Sequence, residues 1–268
     1  MRSFIRWAGS KQQLLSRLRL YWPGDSRRYI EPFCGSACLF FDLEPQDAVL
    51  GDLNEELIGA LRAVQRDVDL VLECLGRLRR GKAGYYELRS RDPGELTDPE
   101  RAARFIYLNH YCFNGLYRTD ARGRFNVPFG RSRTAKRIDS DLLTRASAVL
   151  HNAVLVDSDF EETLHWARPG DLVYLDPPYA VQARRIFSEY WPGSFGSEDL
   201  IRLGNCLDDM DKRGILFVVT YADSREARQL FAPWPSCRVM ARRNIAGFAG
   251  ARRVASELLA TNISRKGS

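Results

Sequence analysis

Four consecutive residues carry the strongest chemical signal in the chain: Asp176-Pro177-Pro178-Tyr179. They follow the apolar run Leu172-Val173-Tyr174-Leu175, which places them at the carboxyl end of a buried strand. Open α/β sheets bind ligands at that end. Two prolines stiffen the turn and remove its N–H donors. The turn therefore offers only acceptors, the Asp176 carboxylate and the Pro177 carbonyl. Together they suit the two hydrogens of a planar exocyclic amine. Tyr179 adds a flat face on which a base can stack.

A second group lies near the N-terminus. Glu31-Pro32-Phe33-Cys34-Gly35-Ser36-Ala37 forms a small-residue turn after a strand, where a ligand can approach the backbone closely. Asp52 ends the next strand, at the distance where an acid can accept from ribose hydroxyls. No Lys follows in a phosphate-cradling pattern, which argues against a P-loop. Ahead of both, Phe4 to Lys11 sets Trp7 and Lys11 around Ala8-Gly9-Ser10, by itself a turn that packs a tryptophan.

The elements that must position these residues alternate. Strands are expected at 29–34, 48–51, 153–156, 171–176 and 215–220, with a final β pair near 237–242 and 255–262. Helices are expected near 159–167, 197–212 and 223–231. Asn54 is an N-cap candidate, with Leu57, Ile58 and Leu61 on one face. Residues 55–115 read as mostly helical: Leu70, Val71, Cys74 and Leu75 recur at helical spacing, as do Phe105, Leu108, Asn109 and Cys112. Gly81, Gly84, Pro93 and Pro99 break that stretch. Short β-prone pieces then flank a turn at Asp120-Ala121-Arg122-Gly123. The pattern is one doubly wound α/β domain with a mostly helical insertion.

Of 268 residues, 40 are basic and 34 acidic, for a net charge of +6. From Arg118 to Arg137 seven basic residues face Asp120 alone, so this segment carries the equivalent of the whole excess. It reads either as a polyanion contact or as a solvated arginine-rich loop. Six cysteines and three histidines form no zinc pattern, and the cysteines read as reduced, packed thiols. No metal is expected. No apolar run is long enough to span a bilayer and the N-terminus has no signal-type apolar region, so the expectation is a cytoplasmic protein without membrane contact.

The order and spacing of these motifs resemble the Dam-type DNA adenine methylase family. The likeness runs along nearly the whole chain. It includes Asn114-Gly115-Leu116-Tyr117-Arg118, the block from Arg122 to Arg131, and Arg242-Arg243-Asn244-Ile245 followed by Glu257-Leu258-Leu259. The tetrad is shared by several amino-methyltransferases, whereas the block from Asn114 to Arg131 is more specific. The resemblance implies a Rossmann-like methyltransferase sheet formed by residues 1–54 and 139–268. A mostly helical target-recognition domain with a β-hairpin would occupy 55–138. It implies S-adenosylmethionine as cofactor, S-adenosylhomocysteine as product, and double-stranded DNA as partner, with no obligate protein partner. It further implies a nucleoid-associated protein of prokaryotic or phage origin.

By the same resemblance, Trp7, Ala8, Gly9, Lys11, Phe33, Gly35, Asp52 and Asp176 match cofactor-binding positions. Asp157 and Phe160 match those that pack its adenine. Phe113, Asn114, Leu116, Arg118, Arg122, Arg124, Pro128, Arg131 and Arg133 match DNA-contacting positions. Three departures stand out: Ser10 replaces the second Gly of the WAGGK pattern, Ala37 replaces the final Gly of the cofactor turn, and Phe113 replaces a Tyr. The first two suggest a slightly tighter turn.

The implied reaction is methylation of adenine N6, on a base flipped from the duplex because N6 is paired inside it. Asp176, Pro177, Pro178 and Tyr179 would form the catalytic turn. Arg118 suits guanine, which alone offers paired O6 and N7 acceptors in the major groove. The matching residues point to GATC or a palindrome sharing its GA start. Alternatives are an amino-methyltransferase acting on RNA or a protein glutamine, and a DNA-binding protein that has lost catalysis. A restriction-modification, phage or housekeeping role stays open.

Overall fold

The computed structural model describes residues 1–24, 26–130, 137–178, 195–244 and 252–263. Tyr179, Arg131 and Arg133 lie outside them. Among the described residues, seven strands form one sheet: β1 (Tyr29–Glu31), β2 (Ala48–Gly51), β3 (Ala153–Val156), β4 (Leu172–Leu175), β5 (Leu216–Ala222), β6 (Ser236–Asn244) and β7 (Arg252–Thr261). Their order is β3-β2-β1-β4-β5-β7-β6. The helices are α1 (Leu15–Leu18), α2 (Cys38–Leu43), α3 (Glu55–Arg66), α4 (Val68–Arg77), α5 (Gly81–Ser90), α6 (Asp98–Tyr111), α7 (Ser140–Leu150), α8 (Phe160–Leu164), α9 (Ser197–Lys212) and α10 (Arg225–Leu230). The chain divides into two compact units, Met1–Gln12 with Cys34–Gln46 and Gly51–Asp157, and Gln13–Phe33 with Asp47–Leu50 and Ser158–Ser268.

In the second unit, β1 runs parallel to β2 and β4, and β4 parallel to β5. β1 and β4 are buried along their whole length, as strands covered on both faces must be. β7 returns antiparallel between β5 and β6. The expected strands at 48–51 and 153–156 match residue for residue. The first is shorter than expected: it stops at Glu31, because Pro32 cannot donate to a ladder and the chain turns.

The first unit contains the helical stretch. Asn54 caps α3 by accepting from the Leu57 N–H at 3.0 Å. Asp67 does the same for α4 through Leu70. α6 begins at a reciprocal cap, with Glu100 accepting from both the N–H and the hydroxyl of Thr97. α6 is buried continuously from Ala102 to Asn109, so it is a central helix, and it packs on α3, α4 and α5.

The β-prone segment after α6 is narrower than a regular hairpin. It is held by isolated antiparallel bridges, Cys112 to Phe129 and Thr119 to Phe125. The expected turn closes with the Gly123 N–H donating to the Asp120 carbonyl at 2.9 Å, Gly123 lying at φ +78°. Tyr85, Leu88, Tyr107, Leu108, Phe125 and Val127 form the apolar core beneath it.

Candidate active site

The small-residue turn after β1 is built within the first unit. The Cys34 N–H donates to the Gly51 carbonyl at 2.8 Å, and the Asp52 N–H donates to the Val156 carbonyl at 3.2 Å. Asp52 thus follows directly on β2, and its carboxylate turns back on the backbone. Oδ2 accepts from the Gly35 N–H and Oδ1 from the Asn54 N–H, both at 2.9 Å. Burial pushes the Asp52 carboxyl up, against the lowering effect of those two bonds.

Gly35 lies at φ +46°, and a Cβ added there would fall 2.7 Å from Cδ1 of Trp7. Both facts favour glycine, since a side chain here would be strained and would push on the Trp7 ring. Ala37 also lies in the left-handed region, at φ +50° and ψ +37°. Alanine here keeps the conformation that glycine would adopt freely, at a cost of about 1–2 kcal/mol. The Ser36 hydroxyl donates to the Ser10 hydroxyl at 3.2 Å, so one departure from the family pattern is bonded to the turn itself. Lys11 is buried, and its ammonium donates to the Gly9 carbonyl at 3.1 Å. Ala8 and Gly9 are exposed.

Trp7 is fixed from two further sides. Its ring stacks on Tyr117, with centroids 5.5 Å apart. The preceding residue is clamped to α6: the Arg6 N–H donates to Asn109 Oδ1 at 2.9 Å, and Asn109 Nδ2 returns a bond to the Arg6 carbonyl at 2.7 Å. Tyr117 in turn donates to Glu56 at 2.9 Å, and the almost fully buried Arg104 pairs with the same carboxylate at 3.0 Å. Neither Glu56, Arg104 nor Tyr117 was singled out by sequence, because their partners are distant along the chain.

Asp157 is exposed and pairs with Arg62 at 2.6 Å. The hydrogen bond from Arg62 holds its carboxyl below the usual range.

The tetrad and an aromatic cluster belong to the second unit. Asp176 leaves β4, and its Oδ1 accepts from the Thr220 hydroxyl at 3.0 Å. Pro177 is buried and Pro178 exposed. Phe33 stacks on Phe160, centroids 5.2 Å apart, and Phe195 meets Phe33 edge-on. Arg202 lies over the Phe160 ring at 4.7 Å and pairs with Asp159, Glu161 and Asp199. Phe195 and Arg202 had no sequence motif to mark them. Thr220 did leave a signal: it is the polar residue that ends the apolar run from Ile215.

The arginine-rich segment belongs to the first unit. Phe113, Asn114, Arg118, Arg122, Arg124 and Pro128 are exposed, whereas Leu116 is half-buried against the core under the hairpin. Phe113 and Pro128 are joined, the Phe113 N–H donating to the Pro128 carbonyl at 2.9 Å. Asn114 sits in the left-handed region at φ +55°. Arg118 Nε donates to Asn126 Oδ1 at 2.6 Å, which fixes the guanidinium's direction. Arg124 is tied to Asp120. Among the described residues no cluster of His, Cys, Asp or Glu is suited to a metal, and no helix is long and apolar enough to cross a membrane. The six cysteines are free thiols.

Comparison with known proteins converges with this geometry. Residues 7–245 match the family model of the D12 class N6 adenine-specific DNA methyltransferases. The chain is 34% identical to the type II methyltransferase M1.LlaDCHI of Lactococcus lactis subsp. cremoris, over 98% of this chain and 95% of that one. It is 34% identical to the type II methyltransferase M.MjaIII of Methanocaldococcus jannaschii, over 80% and 82%. It is 30% identical to the DNA adenine methylase of Escherichia coli K12, over 97% and 94%. A family match over most of the chain and full-length relatives at this identity settle its membership: the chain is an enzyme of the D12 class N6 adenine-specific DNA methyltransferase family.

Proposed function

We propose that the enzyme takes its methyl group from S-adenosylmethionine, without a metal, and acts on an adenine flipped out of double-stranded DNA within GATC or a palindrome that shares its GA start. The observation that carries this reading is Asp176, an acid at the carboxyl end of a parallel strand, held by Thr220 at 3.0 Å and followed by two prolines.

The adenine N6 lone pair is delocalised into the ring, which makes N6 a poor nucleophile. The Asp176 carboxylate and the Pro177 carbonyl accept the two N6 hydrogens. Acceptors off the ring plane favour a pyramidal nitrogen and uncover its lone pair. The bond to Asp176 strengthens as positive charge develops on N6, so it favours the transition state over the ground state. Tyr179 supplies a stacking face for the base.

The donor set fits the cofactor. Both Asp52 oxygens are oriented by backbone N–H groups and each keeps a lone pair for a ribose hydroxyl. Gly35 brings bare backbone to the same place, and Trp7, Lys11, Phe33 and Phe160 are the further residues that would hold the cofactor. When bound, the cofactor supplies a methyl made electrophilic by the sulfonium.

On the DNA side, Arg118 would read guanine, while Leu116 and Pro128 would touch a thymine methyl. Phe113 would wedge into the stack, Asn114 would lie with it at the base edges, and Arg122, Arg124, Arg131 and Arg133 would lie on phosphates. The test is radiolabelled methyl transfer to duplex DNA, RNA and protein, followed by mapping of the methylated adenines. Asp176→Ala should abolish transfer, and Tyr179→Ala should lose about 1–3 kcal/mol of stacking. Normal turnover by Asp176→Ala would overturn the assignment of the tetrad.

A further inference from the structure

We propose that Thr220 is a positioning residue for methyl transfer, the donor that sets the orientation of the Asp176 carboxylate, with Tyr174 behind it. The proposal rests on the reading of Asp176 as the acceptor for the amine.

The parallel register of β4 and β5 sets Leu175 opposite Val219, so Asp176 and Thr220 are the next pair along. Thr220 is fully buried. A buried hydroxyl is costly unless it is bonded, and this position otherwise continues a run of apolar β-formers. Its oxygen lies 3.0 Å from Asp176 Oδ1 and 3.0 Å from the Tyr174 hydroxyl.

A threonine hydroxyl has one hydrogen. The carboxylate can only accept, so that hydrogen goes to Asp176, and Tyr174 must donate to Thr220. The direction of the whole chain is therefore fixed, from Tyr174 through Thr220 to Asp176. Oδ1 is held by the sheet, and the carboxylate's rotation is set before any base arrives. Such preorganisation lowers the reorganisation needed in the transition state and has little bearing on how tightly DNA or cofactor binds.

The experiment compares single-turnover methylation with equilibrium affinity for duplex DNA and for S-adenosylhomocysteine. Thr220→Val and Thr220→Ala should each slow the single-turnover step by about 10–100-fold, with both affinities within about twofold of wild type. Thr220→Ser, which restores the donor, should recover the rate to within about threefold. Tyr174→Phe leaves the Thr220 donor in place and should cost less than either truncation. A near wild-type rate in Thr220→Val or Thr220→Ala would overturn the proposal. So would a Thr220→Ser enzyme as slow as the truncations, because that places the cost in core packing, or a Tyr174→Phe enzyme as slow as Thr220→Val, because that places control in the Tyr174 hydroxyl rather than in the Thr220 donor. Asp176→Ala, measured alongside, separates the two levels. If it turns over normally, the reading of Asp176 is wrong. If it is inactive while the Thr220 variants are normal, only the role of Thr220 falls.

Discussion

Trp7 lies flat against Tyr117, ring planes 25° from parallel, while the edge of the same indole occupies the space that any side chain on Gly35 would need. One aromatic ring thus touches both the glycine turn and the start of the arginine-rich segment. Gly35→Ala has to accommodate a methyl against that ring in a left-handed backbone. The expected loss is about 1–3 kcal/mol of stability from overpacking, with weaker S-adenosylhomocysteine binding. Trp7→Ala should remove the clash, so the double variant should be more stable than the sum of the two single losses predicts. Denaturant titration of the three proteins tests this, and strict additivity would contradict it.

Asp52 gives a pH dependence with a definite sign. Ribose hydroxyls need the carboxylate, and burial raises its pKa above the ordinary 3.8. Protonation therefore begins at a higher pH than for an exposed Asp. Cofactor affinity should fall as pH is lowered through that raised value, and binding should release protons there. Calorimetric titration with S-adenosylhomocysteine across the acid range measures both. Asp52→Ala should bind weakly at every pH with a flattened profile. A wild-type profile unchanged in Asp52→Ala would show that another group is responsible.

The Glu56, Arg104 and Tyr117 network predicts a large stability effect far from any reacting atom. Arg104 is 2% exposed and Glu56 29%, so removing the guanidinium leaves a partly buried carboxylate without its counter-charge. Arg104→Met should cost about 3 kcal/mol, the low end for breaking a buried pair because Glu56 keeps some water. Tyr117→Phe, which removes a single bond to a charged group, should cost about 1.5–3 kcal/mol. Urea unfolding midpoints decide the ranking.

Arg118 is aimed by Asn126, and that contact separates affinity from selectivity. Arg118→Ala should relax discrimination at the guanine beside the target adenine by about 1–3 kcal/mol, with cofactor affinity unchanged. Asn126→Ala should loosen the same selectivity by a smaller amount, because the guanidinium remains but loses its fixed direction. Single-turnover methylation of duplexes with each base substituted in turn is the measurement. Full selectivity in Arg118→Ala would remove it from the recognition set.

Local signals in the sequence were enough to place the strands, though only β2 and β3 match their expected ends residue for residue. The Asn54 cap, the tetrad after β4 and the turn before Gly123 all involve groups a few residues apart, and their chemistry is short-range. What stayed hidden depends on chain segments that meet only in the folded state. Thr220 reaches Asp176 across 44 positions, Tyr117 reaches Glu56 across 61, and Asn109 clamps Arg6 across 103. Ala37 shows a subtler limit. Its type argues against a left-handed backbone, yet the surrounding turn imposes one, with the Ala37 N–H donating to the Cys34 carbonyl.

The place of β7 has a consequence for synthesis. The strand made last fills an interior slot, between β5 and β6, while β6, made before it, has β7 as its neighbour in the sheet. A nascent chain that has reached residue 251 carries two strands that cannot yet pair, the bare flank of β5 and the whole of β6. Exposed strand flanks of this kind recruit other chains. Synthesis that stops between β6 and residue 252 therefore yields a sticky fragment in which every motif residue through Asp176 is present. The ten residues of β7 close the gap between β5 and β6, so the seven-stranded order forms only once they have been made.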